Sequence, residues 1–234
     1  MPAAVPQPDV TTPKNHFITF EGGEGGGKST QIRLLAGALL AQGQKVHLTR
    51  EPGGAPGAED IRRLLVEGEP GRWTPDSEAL LHFAARADHL ARIIRPALAK
   101  GQWVLCDRFA DSSIAYQGYG HGLDLAWLQA LRHHVVGPTE PGLTLILDLP
   151  VETGLARAAQ RQGPAAGRQA SAVPAEDRYE RMDRSFHQRL RDGFLAIAAA
   201  EPDRCKLVDA NRSIDEIAVD LRSLVAQHFG IKLG

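Results

Sequence analysis

The stretch Gly22-Gly23-Glu24-Gly25-Gly26-Gly27-Lys28-Ser29 decides the fold of this chain. It fits the pattern G-x-x-x-x-G-K-[ST], whose glycines let the backbone wrap closely around phosphate groups. A β-prone run, 17–20, precedes the stretch, and leucines and isoleucines at spacings of three and four follow it. Strand, glycine-rich loop and helix are the context that this pattern requires. The stretch therefore predicts a nucleotide-binding loop within an α/β domain.

The residue types of this loop predict how it would hold ATP. Backbone N–H groups and the positive end of the following helix would face the phosphates. Lys28 would reach the β- and γ-phosphates, and the hydroxyl of Ser29 would be a ligand of Mg²⁺. The predicted ATP-binding set is Gly22, Gly23, Glu24, Gly25, Gly26, Gly27, Lys28, Ser29 and Thr30.

Composition sets limits on the class of protein. The 234 residues suffice for one α/β domain, and 43% hydrophobic and 24% charged residues are ordinary for a soluble protein. A net charge of −1 gives no electrostatic reason to expect nucleic acid or a membrane as partner. Cys106 and Cys205 lie in apolar, strand-like runs and are expected to be buried free thiols.

Outside the loop, the pattern predicts five strands alternating with helices, which gives a doubly wound, mostly parallel sheet in one domain, 15–234. Residues 1–14 are proline-rich without the features of a signal peptide, so we expect a flexible tail and a cytoplasmic location. The predicted strands are 16–21, 45–49, 103–106, 143–147 and 206–208. The predicted helices are 28–42, 60–66, 77–100, 125–136, 151–161, 176–200 and 213–228, with Pro96 bending or tightening the last turns of the third.

Polar residues follow several of these strands, at the sheet edge where open α/β sheets bind ligands. Asp107, after the third strand, is a candidate holder of Mg²⁺ through water, and Arg108 beside it would grip phosphate. Arg50 and Glu51 follow the second strand, where an exposed loop pair is the alternative. Asp148 follows the fourth strand and is either a second functional acid or, more simply, a helix cap.

The segment 162–175 consists largely of Gly, Ala, Pro, Gln and Ser, with Arg168 at its middle. It buries little and lies between two arginine-bearing helices, which predicts a mobile lid; a plain surface insertion is the alternative.

Taken together, these motifs resemble the thymidylate kinase family from about Phe17 to the last helix. The resemblance is carried by the phosphate loop and by four further stretches in this order: Thr49-Arg50-Glu51-Pro52-Gly53-Gly54, Phe83-Ala84-Ala85-Arg86, Asp107-Arg108-Phe109 with Tyr116-Gln117-Gly118, and Asp177-Arg178-Tyr179-Glu180. It implies transfer of the γ-phosphoryl group of ATP to dTMP in the presence of Mg²⁺, by a homodimer.

The resemblance also implies roles for particular residues of the acceptor site. Arg50 and Arg108 would hold the acceptor phosphate, and Asp107 would order Mg²⁺ through water. At the sugar, Glu24 would bind the 3′-hydroxyl and Tyr116 would lie against the 2′ position. At the base, Phe83 would stack on thymine, Arg86 would bind a base carbonyl and Ser113 would bind the ring nitrogen. Gln117 is a further residue of the predicted substrate-binding set. The loop 209–212 would border the adenine.

One departure concerns the charge that stabilises the transition state. Some members of the family carry a basic residue inside the phosphate loop, whereas Gly25 and Gly26 stand here. The bacterial-type members use lid arginines instead, and Arg161 and Arg178 are the predicted catalytic candidates, with Arg168 in the extra length of the lid.

Other functions fit the sequence less well. Another nucleoside monophosphate kinase or a deoxynucleoside kinase on the same scaffold is the nearest alternative. A GTP-dependent switch would need an N-K-x-D motif, and a partitioning ATPase would need a lysine where Gly23 stands. The sequence therefore favours a phosphotransferase.

Overall fold

A computed structural model describes residues 15–69, 71–162 and 178–233, the side chains of Arg161 and Gln162 excepted. The predicted tail, 1–14, and the predicted lid from 163 to 175 lie outside these residues. The five strands are β1 Phe17–Glu21, β2 Val46–Arg50, β3 Trp103–Asp107, β4 Leu143–Asp148 and β5 Cys205–Asp209. They form one parallel sheet in the order β2-β3-β1-β4-β5, so the predicted fold class is confirmed.

Helices cover both faces of this sheet. They are α1 Lys28–Ala41, α2 Pro56–Val66, α3 Pro75–His89, α4 Arg95–Ala99, α5 Ala110–Ser113, α6 Leu125–Val136, α7 Val151–Gln162, α8 Arg184–Ala200 and α9 Ile214–Phe229, with π-helical segments at Leu90–Ile94 and Ile114–Gly120. None of the described helices is long and apolar enough to cross a membrane.

The central strand β1 is buried on both sides, as expected for a parallel sheet between two helical layers. Ile18 and Phe20 join α1 and α9 in one core, while Phe17 faces the opposite core and meets Phe109 edge to face at 4.9 Å. Cys106 and Cys205 are buried free cysteines, as predicted.

Three predicted helices differ from the structure at their ends. Helix α2 begins at Pro56 rather than residue 60, since Pro occupies its first turn without losing a hydrogen bond. Helix α8 begins at Arg184 rather than residue 176, because the side chain of Asp183 caps it. The helix predicted over 77–100 begins at Pro75 and widens into the π-helical segment before Pro96; Pro96 lacks the N–H group that an α-helical turn there would require.

The position of β1 between β3 and β4 determines where a ligand can bind. The chain passes from β1 to the edge strand β2, returns to β3 beside β1 and then crosses to β4 on the other side of β1, so the loops after β1 and β3 run in opposite directions at the carboxyl edge of the sheet. This switch point is the expected binding crevice of an open α/β sheet.

Candidate active site

A cavity of about 300 Å³ lies at the carboxyl edge of the sheet. The phosphate loop forms one side, and the turns after β2 and β3, helix α3 and the π-helical segment Ile114–Gly120 form the other. Most of the residues predicted from the sequence line it: Glu24, Gly25, Gly26, Gly27, Lys28, Ser29, Thr30, Arg50, Arg86, Asp107, Arg108, Ser113, Tyr116 and Gln117.

Lys28 begins helix α1, directly after Gly27 in the left-handed backbone conformation. Its Nζ donates to the carbonyl oxygens of Gly22, at 3.1 Å, and Gly23, at 2.8 Å. Burial and the nearby Arg108 lower the pKa of Lys28 to about 8, against the opposing effect of neighbouring carboxylates. The ammonium group therefore remains charged at neutral pH, in a loop built to receive an anion.

The hydroxyl of Ser29 donates a hydrogen bond of 2.7 Å to Oδ2 of Asp107. The two residues are 78 positions apart in sequence and are brought together because β1 and β3 are neighbours. A hydroxyl beside a carboxylate is a donor set suited to Mg²⁺, which binds through one or two carboxylates and substrate phosphates. Within the described residues, no group of three or more His, Cys, Asp or Glu side chains forms a metal cage.

Arg108 joins the phosphate loop to the opposite wall. It takes a left-handed backbone conformation, φ 67°, that is uncommon for a residue with a side chain. Its guanidinium donates to the carbonyl of Gly22 at 2.9 Å and to Glu24 Oε1 at 2.7 Å, and it lies over the ring of Tyr116 at 4.9 Å. A strained residue held by this many contacts is characteristic of a functional site.

Glu24 is the carboxylate on which these donors converge. Tyr116 Oη also donates to its Oε1, at 2.7 Å. Burial raises the pKa of Glu24, but the charges of Arg108 and Lys28 outweigh burial and lower it to about 2. Burial and the proximity of Glu24 raise the pKa of Tyr116 well above its usual value, so the phenol stays protonated and remains a donor.

Glu21, beneath the loop, is fully buried. It accepts hydrogen bonds from the backbone N–H of Phe109, at 2.8 Å, and from Ser112 Oγ, at 2.5 Å. Burial and the neighbouring Asp111 raise its pKa to about 7. Glu21 thus fixes the turn that carries Arg108.

Arg86 is buried, and its guanidinium is held on three sides. It donates to Glu51 Oε2 at 2.8 Å, to Ser113 Oγ at 3.0 Å and to the carbonyl of Phe109 at 3.0 Å. Glu51 accepts in addition from His89, at 2.9 Å between its Oε1 and Nδ1. The charged pair Arg50–Glu51 is therefore divided: Glu51 is 6% exposed and orients Arg86, whereas Arg50 is half-exposed, lines the cavity and pairs with Glu59 at 3.1 Å.

Several predicted residues lie away from the lining of this cavity. Phe83 is 2% exposed, and its ring lies beneath the guanidinium of Arg86, with 4.8 Å between the ring centre and Cζ of Arg86. Arg178 is buried and donates to Glu78 and, at 3.1 Å, to the carbonyl of Leu65. Asp148 forms a bidentate pair with Arg191 at 2.7 and 2.8 Å, so its expected capping role is replaced by an ion pair.

Sequence reasoning gave no role to some of the residues around the cavity. Arg62, His82 and Tyr179 line it, and Tyr179 Oη is 2.8 Å from His82 Nε2. Burial lowers the pKa of His82 to about 4, so its ring is neutral at pH 7. Only Tyr179 had a signal in the sequence, as part of the quoted Asp177-Arg178-Tyr179-Glu180 motif.

A parallel sheet in this order, a phosphate loop whose Ser29 meets Asp107, and arginines across the cavity define a P-loop phosphotransferase. Comparison with known proteins specifies the family. The sequence model of thymidylate kinase matches residues 20–221, and the chain belongs to the thymidylate kinase family.

Curated relatives of high similarity carry the same name. The chain is 53% identical over 215 residues to a thymidylate kinase of Caulobacter vibrioides, covering 92% of this chain and 98% of the relative. It is 50% identical over 212 residues to a thymidylate kinase of Ruegeria pomeroyi, covering 91% and 95%. A crystal structure of thymidylate kinase from Ehrlichia chaffeensis matches with a TM-score of 0.69 and 34% identity, covering 89% of this chain and 97% of that one.

Proposed function

We propose that this chain transfers the γ-phosphoryl group of ATP to dTMP, giving dTDP and ADP. Membership of the thymidylate kinase family supports the reaction. The observation that carries the assignment of the site is the cavity itself. One wall is a phosphate loop with Lys28, and the other holds Arg50, Arg86 and Arg108.

The donor side of the site uses the phosphate loop. Backbone N–H groups of 22–30 and the start of α1 hold the ATP phosphates, and Lys28 turns from the loop carbonyls toward the β- and γ-phosphates. Ser29 and Asp107 would hold Mg²⁺, Asp107 through water; their hydroxyl and carboxylate oxygens fit this ion. Bound there, Mg²⁺ would neutralise charge on the phosphates.

The acceptor side uses the opposite wall. Arg50 and Arg108 hold the dTMP phosphate, while Glu24, itself fixed by Arg108 and Tyr116, receives the sugar 3′-hydroxyl. Arg86 and Ser113, which already contact each other, read the edge of thymine, and Tyr116 closes the 2′ position.

Gln117 lies on the same wall and completes the base-reading set. Phe83 supports the base from beneath Arg86, and direct stacking requires a shift of this buried ring.

The reaction needs alignment and cations more than a base. A phosphate oxygen of dTMP is already a competent nucleophile, so no general base is assigned. Because Arg178 is engaged by Glu78 and Leu65, the transition-state charge is better assigned to Arg161 or Arg168 of the lid region. The proposal also includes a homodimer, which the family resemblance implies and which sedimentation velocity tests. A cytoplasmic location completes the proposal.

The decisive experiment measures ADP release with Mg-ATP and the acceptors dTMP, dUMP, dCMP, AMP, CMP, UMP and thymidine. A strong preference for dTMP is the expected result. Preference for another monophosphate would keep the kinase mechanism and reject the roles of Arg86 and Tyr116. Absence of turnover with any acceptor, with ATP still bound, would reject the kinase assignment.

A further inference from the structure

Glu78, on helix α3, is a buried carboxylate that collects donors from separate parts of the chain. Its Oε1 accepts a hydrogen bond of 2.8 Å from Nε2 of Gln117, and Nε2 of His121 lies 3.3 Å from Glu78. Its Oε2 accepts from Arg178. The reaction described above assigns this carboxylate no part.

The contact with Glu78 fixes the orientation of the Gln117 side chain. An ionised carboxylate only accepts hydrogen bonds, so the NH₂ end of the Gln117 amide must face it. Burial raises the pKa of Glu78, but the proximity of His121 and the charge of Arg178 outweigh burial and hold the pKa below its usual value, which keeps the carboxylate ionised. The other end of the amide, Oε1, has no hydrogen-bond partner among the described residues, although Gln117 is 1% exposed and lines the cavity.

An unpaired buried carbonyl is unfavourable, so the site is complete only when a donor meets it. We propose that Glu78 is a positioning residue for nucleobase recognition: it holds the Gln117 amide so that its carbonyl oxygen accepts from an N–H group of the acceptor base. This rests on the proposed acceptor, dTMP. The pyrimidine edge of thymine carries one N–H between two carbonyl oxygens, which complements an acceptor at Gln117 beside the donors of Arg86.

The substitution Glu78→Gln separates orientation from mere presence of a side chain. Because Arg178 can only donate hydrogen bonds, the carbonyl oxygen of the introduced amide must face Arg178. The NH₂ group of the introduced amide therefore faces Gln117. Gln117 then turns over and presents NH₂ toward the base. That donor opposes the N3–H of thymine and suits the unprotonated N3 of cytosine.

The test compares dTMP with 5-methyl-dCMP, which differs from dTMP only at this edge of the base. We measure kcat and KM for both substrates with wild type, E78Q, Q117L and the double variant. E78Q should lower the selectivity for dTMP at least about tenfold, through KM rather than kcat, because the contact exists before and during the transfer. On the Q117L background, E78Q should change selectivity no further.

The outcomes that overturn the proposal are distinct from loss of stability or of the function itself. An equal fall in kcat/KM for both substrates, or an undiminished effect of E78Q in the Q117L background, would make Glu78 a structural residue only. If E78Q does not fold, unchanged selectivity of Q117L alone still overturns the proposal. Glu69→Gln, an exposed carboxylate that contacts Arg181, is the matched control and should behave as wild type. Failure of wild type to use dTMP would instead reject the proposed function.

Discussion

Gly25 of the phosphate loop and Gly154 of helix α7 meet backbone to backbone. A Cβ atom on Gly25 would overlap the carbonyl oxygen of Gly154, and a Cβ atom on Gly154 would lie 2.5 Å from the carbonyl oxygen of Glu24. Gly25 also has a positive φ of 71°, which disfavours any side chain. The basic residue that some thymidylate kinases carry inside this loop therefore cannot be accommodated at Gly25 without moving α7 away.

This contact predicts that either glycine is intolerant of one added methyl group. Gly25→Ala and Gly154→Ala should each weaken ATP binding about tenfold or more by displacing the loop, and should lower the melting temperature. Gly37→Ala is the matched control, because nothing lies within 4 Å of its added methyl group and alanine favours a helix. Fluorescence titration with a labelled ATP analogue checks the prediction. Unchanged ATP affinity in G25A and G154A would show that the loop seats itself independently of α7.

A second prediction concerns Arg108. Arg108→Ala should abolish phosphorylation of dTMP, because the acceptor phosphate loses a charged partner and Glu24 loses the guanidinium that orients it. ATP binding should remain largely intact. Isothermal titration with each nucleotide separates the two effects. Loss of ATP binding with unchanged dTMP affinity would contradict the assignment of Arg108 to the acceptor side.

The role of Asp107 can be tested through the metal. Asp107→Asn keeps a hydrogen bond with Ser29 but removes the negative charge that favours Mg²⁺. The Mg²⁺ concentration needed for half-maximal rate should rise, with kcat reduced about 10²-fold or more as for other lost electrostatic contacts. Asp148→Asn, which loses only its pair with Arg191, serves as the control. Equal Mg²⁺ dependence in D107N and wild type would exclude Asp107 as a holder of the ion.

The stability of the fold should depend on pH through Glu21. Its pKa is raised from 4.5 to about 7, so the unfolded chain releases this proton at a lower pH than the folded chain does. The contribution of Glu21 to stability is therefore greatest below about pH 4.5 and is lost as the pH rises to about 7.

Glu21→Gln retains both hydrogen-bond partners and removes the titration. Melting temperatures between pH 5 and 7.5 should fall less steeply for E21Q than for wild type or for the control Glu69→Gln. Parallel slopes for all three proteins would show that Glu21 stays ionised in the folded state.

The fold and the phosphate loop could be predicted because their signals are local: the glycine pattern, the apolar periodicity and the residues at strand ends. The contacts that organise the acceptor wall are not local. Glu78 is 39 residues from Gln117 and 100 from Arg178, and no spacing rule predicts a carboxylate that joins them. For the same reason, the sequence predicted Arg178 as a catalytic arginine of the lid, while the structure shows it between α2 and α3.

The two arginines that flank the predicted lid should therefore respond differently to substitution. Arg178→Met removes the cationic partner of the buried Glu78 carboxylate, a loss that typically costs about 3–5 kcal/mol and should lower the melting temperature by roughly 10 °C. Arg161→Met should leave the melting temperature unchanged and lower kcat by about 10³-fold, as arginines that stabilise a phosphoryl-transfer transition state do, with little change in either KM.

Thermal melts and steady-state kinetics on both variants, with Arg168→Met as a third, check this division. If R178M melts like wild type and loses only kcat, Arg178 leaves Glu78 during the reaction and is itself the catalytic arginine. If neither R161M nor R168M lowers kcat, residues other than Arg161 and Arg168 stabilise the charge on the transferring phosphoryl group.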